Sequence, residues 1–231
     1  MKKLILILLL AEGGTSNAQN GLFIQPTVGL GLTALSTYQG EHFYTGITDD
    51  KAKFTFNPQL LLGYQYHHFV FSTGIGYMKE GYAGTLYQDP FYDNRRIEYF
   101  YTNYFTVPFV LGYKIDLSSR LSVTPALAYE LGLRQQTETT ITYDTASLLS
   151  SYRAPYTITE KKHASGTEGF ASVKIDGIYK INPQLNIVAG LQARYRLATG
   201  NTDFFRSYTY TLNMGVQYFF KGTKINTAVK K

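Results

Sequence analysis

The chain has no cysteine and no tryptophan, few charged residues and no long apolar run. Because cysteine is absent, no disulfide contributes to the stability of the fold. Charged residues make up 16% of the 231 residues, whereas soluble domains carry about 25%. No stretch approaches the roughly 18 consecutive apolar residues of a membrane-spanning helix. We therefore expect either a soluble β protein or a protein that crosses a membrane as a barrel.

Aromatic residues and glycine are abundant instead, with 21 tyrosines, 15 phenylalanines and 21 glycines. This composition favours strands and close backbone approach over helices. The net charge is +6, but the basic residues form no run typical of a nucleic-acid site. Only Lys224, Lys230 and Lys231 cluster, and a solvated tail explains them. No nucleic-acid partner and no cofactor are expected.

The N-terminus has the three parts of a secretory signal peptide. Lys2 and Lys3 form a positive region, an apolar stretch follows, and Ser16-Asn17-Ala18 supplies small residues for cleavage. We predict a signal peptide over residues 1–18 and one exported domain over residues 19–231, ending in a tail, 221–231.

Apolar and other residues alternate along eight segments, the period of strands that are buried on one face. The clearest is the last, SYTYTLNMGVQYFF, in which only Phe219 breaks the alternation. The eight segments are 21–34, 54–66, 69–80, 103–115, 121–134, 170–181, 185–197 and 207–220.

The connections between these segments alternate in length. Short turns at 67–68, 116–120 and 182–184 alternate with longer stretches at about 35–53, 81–98, 135–165 and 199–206. Antiparallel neighbours joined in this way have all short turns at one end, which is typical of outer-membrane barrels. We predict an all-β, eight-stranded antiparallel up-and-down transmembrane β-barrel, with its first strand paired to its last because open edges are not tolerated in lipid.

The residues between the apolar positions indicate which side faces inward. Many are glycine, which would only weaken a strand facing water but fits the crowded interior of an eight-stranded barrel. These glycines are Gly29, Gly31, Gly63, Gly74, Gly76, Gly112, Gly132, Gly190 and Gly215. A lipocalin-like soluble barrel, with its apolar side inward, is the alternative.

The same face carries charges of both signs, which pair if they are enclosed together. We predict a charge network in the lumen of the barrel, formed by Glu80, Lys114, Glu130, Arg134, Lys174, Asp176, Arg194 and Arg196, with Lys180 on the same face. Ordinary surface charges of a soluble barrel are the alternative reading. Tyrosines cluster near both ends of the strands, as aromatic belts at two headgroup regions would.

Two segments resemble a known family. FSTGIGYMKEGY (71–82) and YFTVPFVLGYKI (104–115) are similar to strands of the PorT-like outer-membrane β-barrel proteins of Bacteroidota. The resemblance implies a small barrel in the bacterial outer membrane, in some members an accessory to protein secretion. Many outer-membrane barrels end on an aromatic residue, whereas here Phe220 is followed by KGTKINTAVKK.

Residues suited to catalysis or metal binding are few. His67 and His68 fall in a short turn, and we interpret them as ordinary polar turn residues. A paired metal site is the alternative, but neighbouring strand residues point to opposite faces. His42 and His163 fall in long connections, as do their candidate partners for a catalytic triad, Ser36, Asp49, Asp50, Asp144, Ser147 and Ser165, and nothing in the spacing singles any of these out. Asp49, Asp50, Asp89 and Asp93 carry the oxygen ligands that a calcium site needs, and ordinary solvated loop residues are the alternative. We assign no catalytic or metal site.

The longest connection has two arms, TETTITY and YTITE, that read as strands continuing beyond the bilayer as a hairpin. Such a hairpin presents an edge to a partner. The hypothesis is a monomeric outer-membrane barrel with a plugged lumen, lipid as its surroundings, and a structural or protein-interaction role, its partners being secretion or assembly proteins. The alternatives are a narrow channel, an outer-membrane enzyme that uses the loop histidines, and a soluble binder.

Overall fold

The structure, a computed structural model, describes residues 21–37, 51–87, 94–145, 156–197 and 205–220. Every secondary-structure element in these ranges is a β-strand. The strands are β1 (Gly21–Thr37), β2 (Lys51–Tyr66), β3 (Phe69–Tyr87), β4 (Asn94–Tyr113), β5 (Ile115–Asp116), β6 (Leu121–Thr145), β7 (Tyr156–Lys180), β8 (Leu185–Leu197) and β9 (Phe205–Phe219). No helix in the described ranges is long and apolar enough to cross a membrane. The predicted signal peptide and C-terminal tail lie outside these ranges.

The strands close into a single antiparallel barrel. Each strand pairs with its neighbours in sequence, and β1 also pairs with β9 from Phe23↔Phe219 to Thr37↔Phe205. The two-residue β5 continues β4 after Lys114, and both pair with β6. The ring therefore has eight members, as predicted, and closure removes the open edges that a flat sheet would have.

The predicted short turns are confirmed at one end of the barrel. His67 and His68 alone connect β2 to β3, with His67 at a φ of 52°. Residues 117–120 and 181–184 make the other two turns, in which Ser118 and Asn182 side chains accept hydrogen bonds from the backbone of the following residues.

The long connections are shorter than those that the sequence predicts. The sequence predicts a long loop over 81–98, whereas β3 runs to Tyr87 and β4 starts at Asn94, and the two strands are paired through Tyr87↔Arg95. The period-2 test depends on apolar residues, and it loses its signal where the strands continue with polar and aromatic residues on both faces. The predicted hairpin is confirmed: β6 and β7 stay paired out to Tyr143↔Tyr156.

The apolar residues of the alternation face outward. Ile75, Leu127 and Leu191 are about two-thirds exposed, at 66%, 64% and 64%. The residues between them face the interior and are buried; many of these are polar, including Thr33, Asn57, Gln192 and Thr211. This orientation is the reverse of a lipocalin-like binder and removes that alternative.

Glycine on the inner face makes room for neighbouring groups. A Cβ on Gly31 would lie 1.8 Å from the carbonyl oxygen of Tyr210, and one on Gly63 would lie 2.2 Å from the ring of Phe23. Backbone atoms cannot move away as a flexible side chain can. The close approach of β1 to β9 therefore requires glycine at the position of Gly31.

Phe219, the residue that breaks the alternation of the last strand, points into the barrel. Its ring centroid lies 5.4 Å from that of Phe23, and both pack with Val70 in a buried cluster. These three residues lie at the short-turn end, where they fill the interior with apolar side chains.

Candidate functional site

The centre of the barrel holds a buried ion pair between β6 and β8. Arg194 donates from Nε and Nη2 to Oε1 of Glu130, at 3.1 and 2.8 Å. A further bond from Nη2 reaches Oε2 at 2.9 Å, and both side chains are about 1% exposed. A buried pair offsets its loss of hydration only where further hydrogen bonds satisfy both ions.

Glu130 receives those further bonds from one more residue of β8 and from one residue of β2. Gln192 donates to it at 2.7 Å, and Gln59 of β2 donates at 3.4 Å. With its amide oriented to satisfy its neighbours, Asn57 of β2 accepts from Arg194 at 2.7 Å. Because β2, β6 and β8 are not adjacent in the ring, this Glu130–Arg194 brace crosses the lumen from wall to wall.

A second charged cluster lies toward the end with the long connections. Its centre is Glu168 of β7, which accepts from the Tyr104 hydroxyl at 2.9 Å and from Nε of Arg196 at 2.6 Å. Arg134 forms an ion pair with the same carboxylate. One acid therefore holds two arginines and a tyrosine from β4, β6 and β8.

The sequence reading missed Glu168. The sixth predicted strand starts at Phe170, because no apolar alternation precedes it. Glu168 has the same parity as Phe170, Ser172 and Lys174, which the structure places on the inner face. Extending the strand by one period would have found it.

An apolar layer lies beside the two clusters. Met78, Tyr104 and Phe170 are buried together, and the Tyr104 and Phe170 rings meet edge to face at 5.4 Å. Arg194 points its Nη1 at the Met78 sulfur, 2.9 Å away. The ionic brace and the apolar layer together fill this part of the lumen.

The other predicted lumen charges are placed separately. Lys174 and Asp176, two residues apart on β7, pair at 3.5 Å. Lys114 pairs at 3.3 Å with Asp116, a residue outside the predicted set, near the short-turn end. Glu80 is buried and accepts from Thr209 at 3.0 Å.

The histidines form no catalytic group among the described residues. His68 places Nδ1 3.0 Å from the Lys114 carbonyl oxygen and stacks on Tyr113, which is a turn-stabilising role. His163 is exposed on β7. The remaining candidates have no described side chain: Ser36, His42, Asp49, Asp50, Asp89, Asp93, Asp144, Ser147 and Ser165.

The described ranges also contain no group of three or more histidine, aspartate or glutamate residues that could hold a metal ion.

Comparison with known proteins gives similarity in fold. No family model matches the chain, and no curated protein matches it. Among solved structures, neisserial surface protein A is 18% identical, with 87% of this chain and 97% of that chain covered and a TM-score of 0.43. Ail of Yersinia pestis is 12% identical, with 86% and 99% covered and a TM-score of 0.36. The N-terminal β-barrel domain of Pseudomonas aeruginosa OprF is 11% identical, with 84% and 97% covered and a TM-score of 0.35.

These neighbours are small outer-membrane barrels. At such identities the similarity concerns the fold and says nothing about function, and the resemblance to PorT-like proteins has no support from a family model.

Proposed function

We propose that the protein is an outer-membrane β-barrel with a sealed lumen, whose role is structural or protein-binding, with specificity in its external strands and loops. The observation that carries this proposal is the orientation of the side chains. Apolar residues face outward around the ring, while polar and paired charged residues fill the interior. An aqueous environment would make that outer surface costly, whereas a bilayer makes it favourable.

The sealed lumen favours a binding role over a channel. The Glu130–Arg194 brace and the layer of Met78, Tyr104 and Phe170 occupy the middle of the barrel, and Phe23, Val70 and Phe219 occupy the short-turn end. An eight-stranded barrel has room inside for little more than its own side chains.

Cysteine labelling tests the location and the orientation. Because the chain contains no cysteine, a single introduced thiol is unique. We expect Thr159→Cys on β7 to react with a membrane-impermeant maleimide on whole cells, and Ser119→Cys in a short turn to react only after lysis. Equal reaction of both thiols on whole cells, or recovery of the protein in the soluble fraction, would contradict the proposal.

The finer proposal is an accessory role in secretion or outer-membrane assembly, supported by the resemblance to PorT-like strands. The test compares a deletion strain with the same strain complemented by the full chain. We expect the amount of secreted protein to fall in the deletion strain and to recover on complementation, while uptake of small ions stays the same in both. A rise in ion permeability only when the chain is expressed would favour the channel.

A further inference from the structure

The described strands form a closed ring from the short-turn end up to Gly169. Beyond Gly169, toward the long connections, the ring is open. The last β7–β8 pair is Gly169↔Leu197, whereas β7 continues to Tyr156 and stays paired with β6 throughout. Among the described residues, nothing pairs with 156–168 on the side away from β6. At about 3.3 Å per residue, this β7 edge is about 40 Å long.

The β7 edge is backed by a sheet and not by an isolated hairpin. β4 pairs with β6 up to Asn94↔Thr145, and β3 pairs with β4 up to Tyr87↔Arg95. Four strands, β3, β4, β6 and β7, therefore extend past the closed ring. A lone hairpin would be marginally stable, but a sheet of this size holds its edge strand extended.

The base of this sheet is fixed to the barrel. Register shifts fall between Asn103 and Tyr104 on β4 and between Arg134 and Gln136 on β6. Such bulges bend strands. Glu168 lies at the same level and binds Tyr104, Arg134 and Arg196. The cluster therefore holds the strands together where the sheet leaves the ring.

A second copy of this chain does not fit the β7 edge. Two copies in one membrane point the same way, and a closed dimer relates them by a two-fold axis along the membrane normal. With strands tilted about 40° from the normal, the two edges would cross at about 80°, and a shared ladder needs parallel or antiparallel strands.

The described part of the chain places no strand beside Lys161 on the side away from β6. β8 ends at Leu197 and β9 begins at Phe205, and neither pairs with 156–168.

The charges on the edge indicate what would bind. Lys161 and Lys162 have side chains 60% and 77% exposed, and their partners Glu138 and Glu160 lie at 3.8 and 3.0 Å. Exposed pairs of this kind contribute at most about 1 kcal/mol, so the lysines exchange partners readily. Since neighbouring strand residues point to opposite faces, a strand with two adjacent acids would meet both lysines.

We propose that the β7 edge, residues 156–168, binds an extended acidic segment of another protein outside the cell by adding it as a strand to the sheet. This proposal rests on the proposed function, because it requires the edge to lie outside the membrane. It names the partner class: a polypeptide that contributes backbone hydrogen bonds and carboxylates opposite Lys161 and Lys162.

The first experiment measures amide hydrogen exchange in the full chain held in lipid nanodiscs. In the free protein we expect fast exchange at alternate residues of 156–168, because those amides have no strand partner. Slow exchange along the whole stretch in the free protein would mean that part of this chain, such as 38–50, already covers the edge, and would overturn the proposal.

The second experiment adds a defined probe, the capped peptide Thr-Val-Thr-Glu-Glu-Thr-Val-Thr, with a control that carries Lys-Lys in place of Glu-Glu. We expect the acidic peptide to bind about fivefold more tightly, from two surface charge pairs, and to slow exchange within 156–168. Equal binding of the two peptides, no binding, or protection elsewhere would overturn the proposal.

Two variants identify the contact. Lys162→Glu should reduce or reverse the preference for the acidic peptide, while Arg120→Glu, an equal change in charge at the short-turn end, should leave it unchanged. Thr159→Pro and Glu160→Pro each remove one backbone N–H group. Because successive N–H groups of a strand point to opposite sides, one of these two points away from β6. One of the two variants should therefore fold normally and lose peptide binding, and normal binding by both would contradict strand addition.

The two proposals fail in different ways. A barrel with Thr159→Cys labelled on whole cells that binds neither peptide overturns the edge proposal and leaves the proposed function standing. A protein with Ser119→Cys labelled on whole cells, or recovered in the soluble fraction, fails the proposed function, whatever the peptide does.

Discussion

At the scale of single residues, the interior of this barrel depends on ions that satisfy one another. Glu130 has an arginine and two glutamines around it, and Glu168 has two arginines and a tyrosine. Removing one member leaves the others buried and unpaired, which costs more than the intact pair contributes. Phe219 shows the complementary case, an apolar side chain placed inward to fill the end of the lumen.

The Glu130–Arg194 brace gives the first prediction. Glu130→Leu leaves Arg194 buried without the carboxylate that it binds and should lower the free energy of unfolding by about 3–5 kcal/mol. Adding Arg194→Leu should recover part of that loss, because no uncompensated charge remains. Urea unfolding in detergent, followed by the gel mobility of the folded barrel, measures both variants.

The control for the brace is Lys162→Leu, which removes a charge of an exposed pair and should change stability by less than about 1 kcal/mol. If the double variant were less stable than Glu130→Leu alone, the brace would not explain the loss.

The inner-face glycines give the second prediction. Gly31→Ala places a Cβ against the Tyr210 carbonyl oxygen and should lower the free energy of unfolding by about 1–3 kcal/mol, as overpacking does. Gly166→Ala is the matched control, because a Cβ there meets nothing within 4 Å. Equal unfolding midpoints for the two variants would contradict the close approach of β1 and β9.

At the scale of elements, the strands have two parts with different tasks. Below Gly169 the eight members of the ring pair on both sides, with β5 counted as the continuation of β4. Above it, β3, β4, β6 and β7 continue as an open sheet whose residues do not enter the brace or the Phe23 cluster. Stability should therefore be concentrated in the ring.

Shortening the hairpin is the third prediction. Replacing residues 141–158 with a two-residue Asn-Gly turn joins Thr140 to Thr159, which pair directly, in a favoured hairpin geometry. The barrel should still insert and keep its urea midpoint, because the clusters around Glu130 and Glu168 are untouched. A shortened chain that fails to fold would show that the sheet is needed for the ring, and Thr142→Ala in the full chain serves as the control.

At the scale of the whole molecule, the surface around the ring is apolar and the interior is polar. Such an arrangement is stable only in apolar surroundings. In water the apolar surface would be exposed to solvent, and the buried polar groups could not hydrogen-bond to it. Outward tyrosines such as Tyr66 and Tyr210, exposed by 56% and 60%, lie toward the two ends of the ring.

A lysine scan of the outer surface gives the fourth prediction. Leu191 lies midway along β8 and is 64% exposed. Leu191→Lys should lower the free energy of unfolding in a bilayer by about 2–4 kcal/mol, and Tyr66→Lys at the short-turn end by only about 0–1 kcal/mol. Equal costs at the two positions, measured by unfolding from lipid vesicles, would contradict a bilayer centred on the ring.

The sequence by itself determined the strands of the ring, their order and the direction of each side chain. A period of two is a local property, so alternation from Leu22 to Leu32 or from Leu185 to Tyr195 specifies the face of every residue without knowledge of its neighbours. Glycine opposite bulky residues and charges of both signs then indicated which face is inside. The alternation gives no signal where polar residues occupy both faces, and this is why the sequence predicts a loop over 81–98 and does not reveal Glu168.

Only the tertiary structure decided which charges meet and where the pairing stops. Glu130 and Arg194 are 64 residues apart, and their contact follows from the register of several strands and from the width of the lumen. The β7 edge likewise exists because β6 and β7 are longer than β8, which only the pairing of all three strands reveals. Partners across a barrel are fixed by the closure of the ring, and no local pattern in the chain carries that information.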